Sequence, residues 1–173
     1  MKRKNLLAIA VAAAAALPSA AGAAVPAPTV PDTIAVGTGE KPFLLGHATG
    51  VQIYACRSGA WVLVAPRATL YGDSGQTIAD HFGGPTWQAR DGSRVVGKRL
   101  DGVPGAPGAI PWLLLSADST SAGPDGDRLE GTTHIQRIAT VGGVAPAPSQ
   151  CVTEGEQVEV PYTADYVFWK RAS

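Results

Sequence analysis

Apolar and polar positions alternate with a period of two in several short stretches of this 173-residue chain. Val51-Gln52-Ile53-Tyr54-Ala55-Cys56 shows that alternation and predicts a strand. Ala60 to Ala65 (AWVLVA) is apolar throughout and predicts a second, more fully buried strand. Arg57-Ser58-Gly59 between them has turn chemistry, so the two form a hairpin. Pro66 then punctuates, and Ala68 to Tyr71 predicts a third, short strand. In Gly72-Asp73-Ser74-Gly75, glycine accepts positive φ and the Asp side chain bonds its own backbone, which makes a turn. Further segments follow at Gln76 to Phe82, Thr86 to Ala89 and Ser93 to Leu100. The bend Gly83-Gly84-Pro85 and the hairpin dipeptide Asp91-Gly92 separate them. Ile110 to Ala117 is the most apolar segment, with Pro111 marking an edge or a strand start. Asp118 to Asp127 reads as polar and flexible. In Thr132 to Thr140, Ile135 and Arg137 share one face and Gln136 and Ile138 the other. Gln157 to Trp169 is strand again, split at Pro161.

Nowhere is a period of 3.6 sustained between helix caps. The 21 glycines and 14 prolines are punctuation between short strands, and Asp101 to Ala109 and Val141 to Gln150 are long Gly/Pro loops. The expected architecture is all-β: one antiparallel sandwich or barrel of roughly eight to ten strands.

The first 23 residues break this pattern. Lys2, Arg3 and Lys4 precede the apolar run Leu6 to Leu17, and Ala21-Gly22-Ala23 offers small residues for cleavage. That run spans about 18 Å as a helix, short of a ~30 Å hydrocarbon core, so a signal peptide is expected rather than an anchor. No lipidation cysteine or twin-arginine pair accompanies it, which leaves the general secretory route and a periplasmic or extracellular destination. The predicted organisation is a signal peptide at 1–23, a Pro-rich, poorly ordered leader at 24–31 and one β-rich domain at 32–173, with no integral membrane segment after cleavage. Cleavage leaves 11 basic against 14 acidic residues, a net charge of about −3 that argues against a nucleic-acid partner. Export also favours a disulfide between Cys56 and Cys151, closing a loop of about 95 residues and worth ~4–5 kcal/mol by the chain-entropy argument. Free buried thiols or an intermolecular bridge are the alternatives.

Candidate chemistry is sparse. Gly72-Asp73-Ser74-Gly75 matches the letters around a serine-protease nucleophile, but Gln76-Thr77 follows and the domain is too small for two barrels. His47, His81 and His134 lack metal-ligand spacing, and Asp125-Gly126-Asp127 lacks a calcium ladder; no metal and no cofactor are predicted. Trp61, Trp112 and Trp169 sit in apolar runs and belong in the core. Trp87 follows a bend and is flanked by polar residues, which marks it as a ligand contact. His81, Trp87, Lys98, His134 and Arg137 form the candidate ligand site: a cation pair, two imidazoles and an aromatic face near bends. The leading expectation is a module that binds an extracytoplasmic ligand or envelope component. A hydrolase or lyase is the alternative, with His81 and a carboxylate such as Asp80 or Asp91 as acid and base; Asp165 is a further nomination. A structural or inhibitor-type domain would instead present a flat apolar patch.

One resemblance covers about Pro31 to Trp169. It rests on the segments His81 to Trp87 (HFGGPTW), Asp91 to Lys98 (DGSRVVGK), Ile110 to Leu115 (IPWLLL), Ile135-Gln136-Arg137, Gly142 to Pro146 (GGVAP) and Pro161 to Tyr166 (PYTADY). Together they resemble a secreted bacterial and fungal family catalogued as a domain of unknown function, number thirty-four fifty-five. The resemblance implies secretion and a single domain, and brings no activity, cofactor or catalytic residue with it. A dehydrogenase label carried by some fungal relatives finds no support here, since no Gly-rich turn links a strand to a helix.

Overall fold

A computed structural model describes residues 24–172; the expected signal peptide lies outside the described residues. Eight strands follow one another: β1 (Glu40–Arg57), β2 (Ala60–Tyr71), β3 (Thr77–Phe82), β4 (Thr86–Ala89), β5 (Arg94–Val103), β6 (Trp112–Ser121), β7 (His134–Gly142) and β8 (Gln157–Arg171). Each pairs antiparallel with its neighbour in sequence, and β8 pairs with β1, so the sheet closes as a barrel. No helix among the described residues is long and apolar enough to cross a membrane.

Local chemistry explains most boundaries. The β1–β2 turn holds Ser58 at φ 51° and Gly59 at φ 77°, the pair of positive values that a two-residue hairpin turn needs. β1 begins eleven residues before the predicted strand, because Pro42 and Gly46 disguise its first half. Pro42 sits at a register shift against β8, and a Cβ on Gly46 would lie 2.8 Å from the Leu70 side chain. β2 runs through Pro66 instead of breaking there: β3 does not extend alongside it at that height, so one side of the strand needs no donor. β8 likewise runs through Pro161, just past the last pair with β7. Asp118 to Ser121, read as flexible, continues β6. The expectation that Ala60 to Ala65 is buried fails: Val62, Leu63 and Val64 are 45%, 51% and 48% exposed.

Inward side chains fill the barrel, as expected for eight strands. Leu70, Trp87, Val95, Leu115, Ile135, Tyr166 and Phe168 form its centre. Buried Leu129 closes the end nearer Glu40, and Ile110 with Gly143 closes the other, where the Tyr54 hydroxyl donates to the Gly143 carbonyl at 2.6 Å. Outside the wall, Gln136 Nε2 donates to the Ile34 carbonyl (2.6 Å) and its Oε1 accepts from Trp169 Nε1 (2.8 Å). These bonds satisfy a fully buried amide and tie the N-terminal segment, which packs on β5 and β6, to β7. Val25 reaches a groove beside Phe43 and Ile78. Cys56 and Cys151 form the expected intramolecular disulfide, with Cα atoms 5.1 Å apart.

Strand lengths make the wall uneven. β3 and β4 have 6 and 4 residues, whereas their outer neighbours β2 and β5 have 12 and 10. Beyond the pairs Ala68–His81 and Thr86–Val96, the far ends of β2 and β5 have no strand between them. Pro85, in the β3–β4 turn, forms the floor of this gap.

Candidate functional site

The β3–β4 hairpin places His81 directly opposite Trp87, both facing inward. Their rings stack with centroids 4.3 Å apart and planes 4° from parallel. Tyr166 meets both edge-on, at 5.1 Å from His81 and 5.4 Å from Trp87. His81 Nδ1 lies 2.9 Å from the Thr86 carbonyl, which fixes Nδ1 as the protonated nitrogen and leaves Nε2 a lone pair. Burial opposes the charged ring and outweighs that bond, so the His81 pKa falls to about 4, with nearby Arg137 adding repulsion. The imidazole is therefore neutral at pH 7.

Arg137 arrives from the opposite wall. Inward-facing on β7, it sits between Leu113 on β6 and Tyr166 on β8. Its Nε and Nη2 both donate to the Pro111 carbonyl, at 3.1 and 2.8 Å. The Tyr166 hydroxyl feels the Arg137 charge and lies 3.3 Å from the Tyr162 hydroxyl. Desolvation raises the phenol pKa of Tyr162, Tyr166 and, less deeply buried, Tyr54, while the Arg137 charge pulls each of them back. His81, Pro85, Trp87, Leu113, Leu115, Arg137 and Tyr166 line a cavity of about 40 Å³. No carboxylate is among them.

Three of the five nominated ligand residues, His81, Trp87 and Arg137, thus share one cavity. The other two lie elsewhere. Lys98 is exposed, and His134, on the face of β7 opposite Ile135 and Arg137, pairs with Ser116 and Trp169. Trp87 is 1% exposed with a stacking face taken by His81, so it is no open platform for a sugar. The nominated carboxylates are dispersed. Asp80 accepts from the Thr69 hydroxyl on the outer wall, and Asp165 bonds His47 at 2.7 Å. Asp91 accepts from Ser93 N, Ser93 Oγ and Arg128 N, bonds that hold its pKa below the usual carboxylate range. The hydroxyl of Ser74 bonds Gln76, consistent with a turn. Among the described residues no three His, Cys, Asp or Glu side chains group as metal ligands.

Tyr162, Tyr166, Leu113 and Pro85 were not singled out from the sequence. The signal was present for the tyrosines: four positions apart on an alternating strand, they must share a face.

A family described as Protein of unknown function (DUF3455) matches residues 37–170. The chain belongs to that family. The DUF3455 span takes in the barrel from before β1 to Lys170, so the cavity and both strand pairs that build it are part of the family domain. No curated protein and no solved structure matches the chain.

Proposed function

We propose that this DUF3455 protein is an exported binding module that takes a small ligand into the barrel beside the His81–Trp87 stack. The observation that carries the reading is the gap between the far ends of β2 and β5. Its floor, Pro85, is also a wall of the interior cavity, so a ligand in the gap reaches His81, Trp87 and Arg137. Eight-stranded barrels have room for side chains or for one small ligand, and here side chains take most of it. The cavity is far smaller than the ~300 Å³ of a drug-sized site, so only a small group is engulfed. Catalysis through His81 and a carboxylate finds less support, because the Thr86 carbonyl orients the ring in the role a carboxylate would take.

Thermal-shift screening of the mature protein against small acids, amines, amides and sugars tests this reading. A binder at ~100 times its Kd adds ~2.7 kcal/mol, which raises Tm by roughly 5–10 °C. The shift should shrink in Trp87→Phe, Arg137→Lys or both. A screen in which nothing stabilises the protein would remove the reading.

A second reading, contact with another protein, has an observation of its own. Ala60 to Ala65 carries no charge, has no strand on its outer side and exposes Val62, Leu63 and Val64. Uncharged free edges are docking templates for added strands. Sedimentation of wild type and Leu63→Lys separates the two, since only protein contact predicts an assembly that the lysine disperses.

A further inference from the structure

We infer that the group held in the cavity is the carboxylate of a small acid, received by Arg137 and the Trp87 indole N–H. The inference rests on the binding-module reading and adds the chemical class of the ligand. Arg137 is a permanent cation facing the barrel interior, and its hydrogen-bonded partner, the Pro111 carbonyl, is neutral. Among the described residues it has no ion pair; the pairs present involve His47 and Arg67. The guanidinium is half-buried and has no countercharge beside it, and an anion would supply one.

Trp87 supplies the independent observation. Its Nε1–H is buried and has no acceptor within the protein. An indole nitrogen is a donor only, and leaving it unpaired in the interior is unfavourable. Two donor-only groups on one small cavity favour a guest that brings strong acceptors. A carboxylate meets that condition and matches the guanidinium fork, whereas an ammonium or a neutral donor does not. Size sets the depth of insertion. About 40 Å³ takes a group little larger than one water, whose share of the liquid is ~30 Å³. The acid therefore enters head first, and the remainder lies towards Pro85 and the gap.

Formate and its neutral isostere formamide are the probes. Each is titrated into the mature protein at fixed ionic strength, with binding read by calorimetry and by the His81 ring resonances. Formate is expected to bind in the millimolar range, with formamide at least ~10-fold weaker. Neutralising the Arg137 field should also move the His81 titration upward. Arg137→Gln should weaken formate by roughly 10- to 100-fold and Trp87→Phe by a few-fold, while the exposed control Lys98→Gln binds as wild type. Circular dichroism checks each variant, and if Arg137→Gln does not fold, Arg137→Lys and Trp87→Phe decide. Equal binding of formate and formamide, unchanged affinity in the Arg137 variants, or no formate binding each overturn the assignment. Stabilisation by neutral compounds without any effect of formate would sink the carboxylate and keep the binding module. No effect of any compound sinks both.

Discussion

His47 on β1 bridges two carboxylates, Asp165 through Nδ1 at 2.7 Å and Asp73 through Nε2 at 3.1 Å, and those bonds raise its pKa above 6.5. His81, buried against Trp87, moves the other way, to about 4. Linkage gives the two histidines opposite signs. The His47 contribution is complete below pH 6.5 and is lost as pH rises through its elevated folded value. The His81 term is complete above pH 6.5 and is lost as pH falls from there towards 4, because the unfolded chain then takes up a proton that the folded ring resists. Across that window the His81 term amounts to ~3 kcal/mol. Urea unfolding of wild type should therefore show stability falling from pH 6.5 to 4.5, and His81→Phe should flatten that slope. His47→Gln should leave it in place and instead remove pH dependence above 6.5. A wild-type slope that survives in His81→Phe would show that another group carries it.

The β4–β5 hairpin is the element with the most to lose from one carboxylate. Asp91 Oδ1 accepts from Ser93 N and Oγ, and Oδ2 accepts from Arg128 N. Ser93 Oγ in turn accepts from the amide of Leu129, the residue that closes this end of the barrel. Asp91→Asn removes the charge from this chain of bonds and should cost ~1–3 kcal/mol, with faster amide exchange at Arg128 and Leu129 than elsewhere. Uniform exchange would refute the link between turn and plug. This hairpin was legible in the sequence, as Asp91-Gly92 requires the positive φ that Gly92 adopts at 82°. So were the faces of β7, where alternation puts Ile135 and Arg137 inside; the same alternation puts His134 outside, three positions from Arg137. His81 and Trp87 are cross-strand neighbours in one hairpin, and Arg137 and Tyr166 in another. That the two hairpins face each other follows only from barrel closure, a long-range event with no local pattern. The exposure of Val62 to Val64 was hidden for a related reason. Their apolar character reads as burial, but β3 is too short to cover them.

At the scale of the molecule, closure depends on β1 and β8, which pair from Glu40–Arg171 to Ala55–Gln157. Beyond the last pair, Cys56 N donates to the Glu156 carbonyl and Gly155 N donates to the Cys56 carbonyl, and the disulfide binds Cys56 to Cys151 across 95 residues. It therefore fastens one end of the seam on which the barrel closes. In the chain-entropy account this loop is worth ~4–5 kcal/mol, or roughly 10–15 °C in Tm. Calorimetry of the Cys56→Ser, Cys151→Ser double variant should show a loss of that size, and reduction of wild type should reproduce it. A loss under ~1 kcal/mol would mean that the strand pairs alone specify closure.

The same seam has a mechanical meaning. The chain enters the barrel at Glu40 and leaves it at Arg171, side by side at one end of an antiparallel pair. A pull on those two points loads the hydrogen bonds one rung at a time, as a zipper, not all together in shear. Peeling proceeds from Glu40 towards Ala55 and then meets a covalent bond at Cys56. Under tension the barrel opens easily from its termini and is arrested at the far rim, so oxidation sets how far the structure tears.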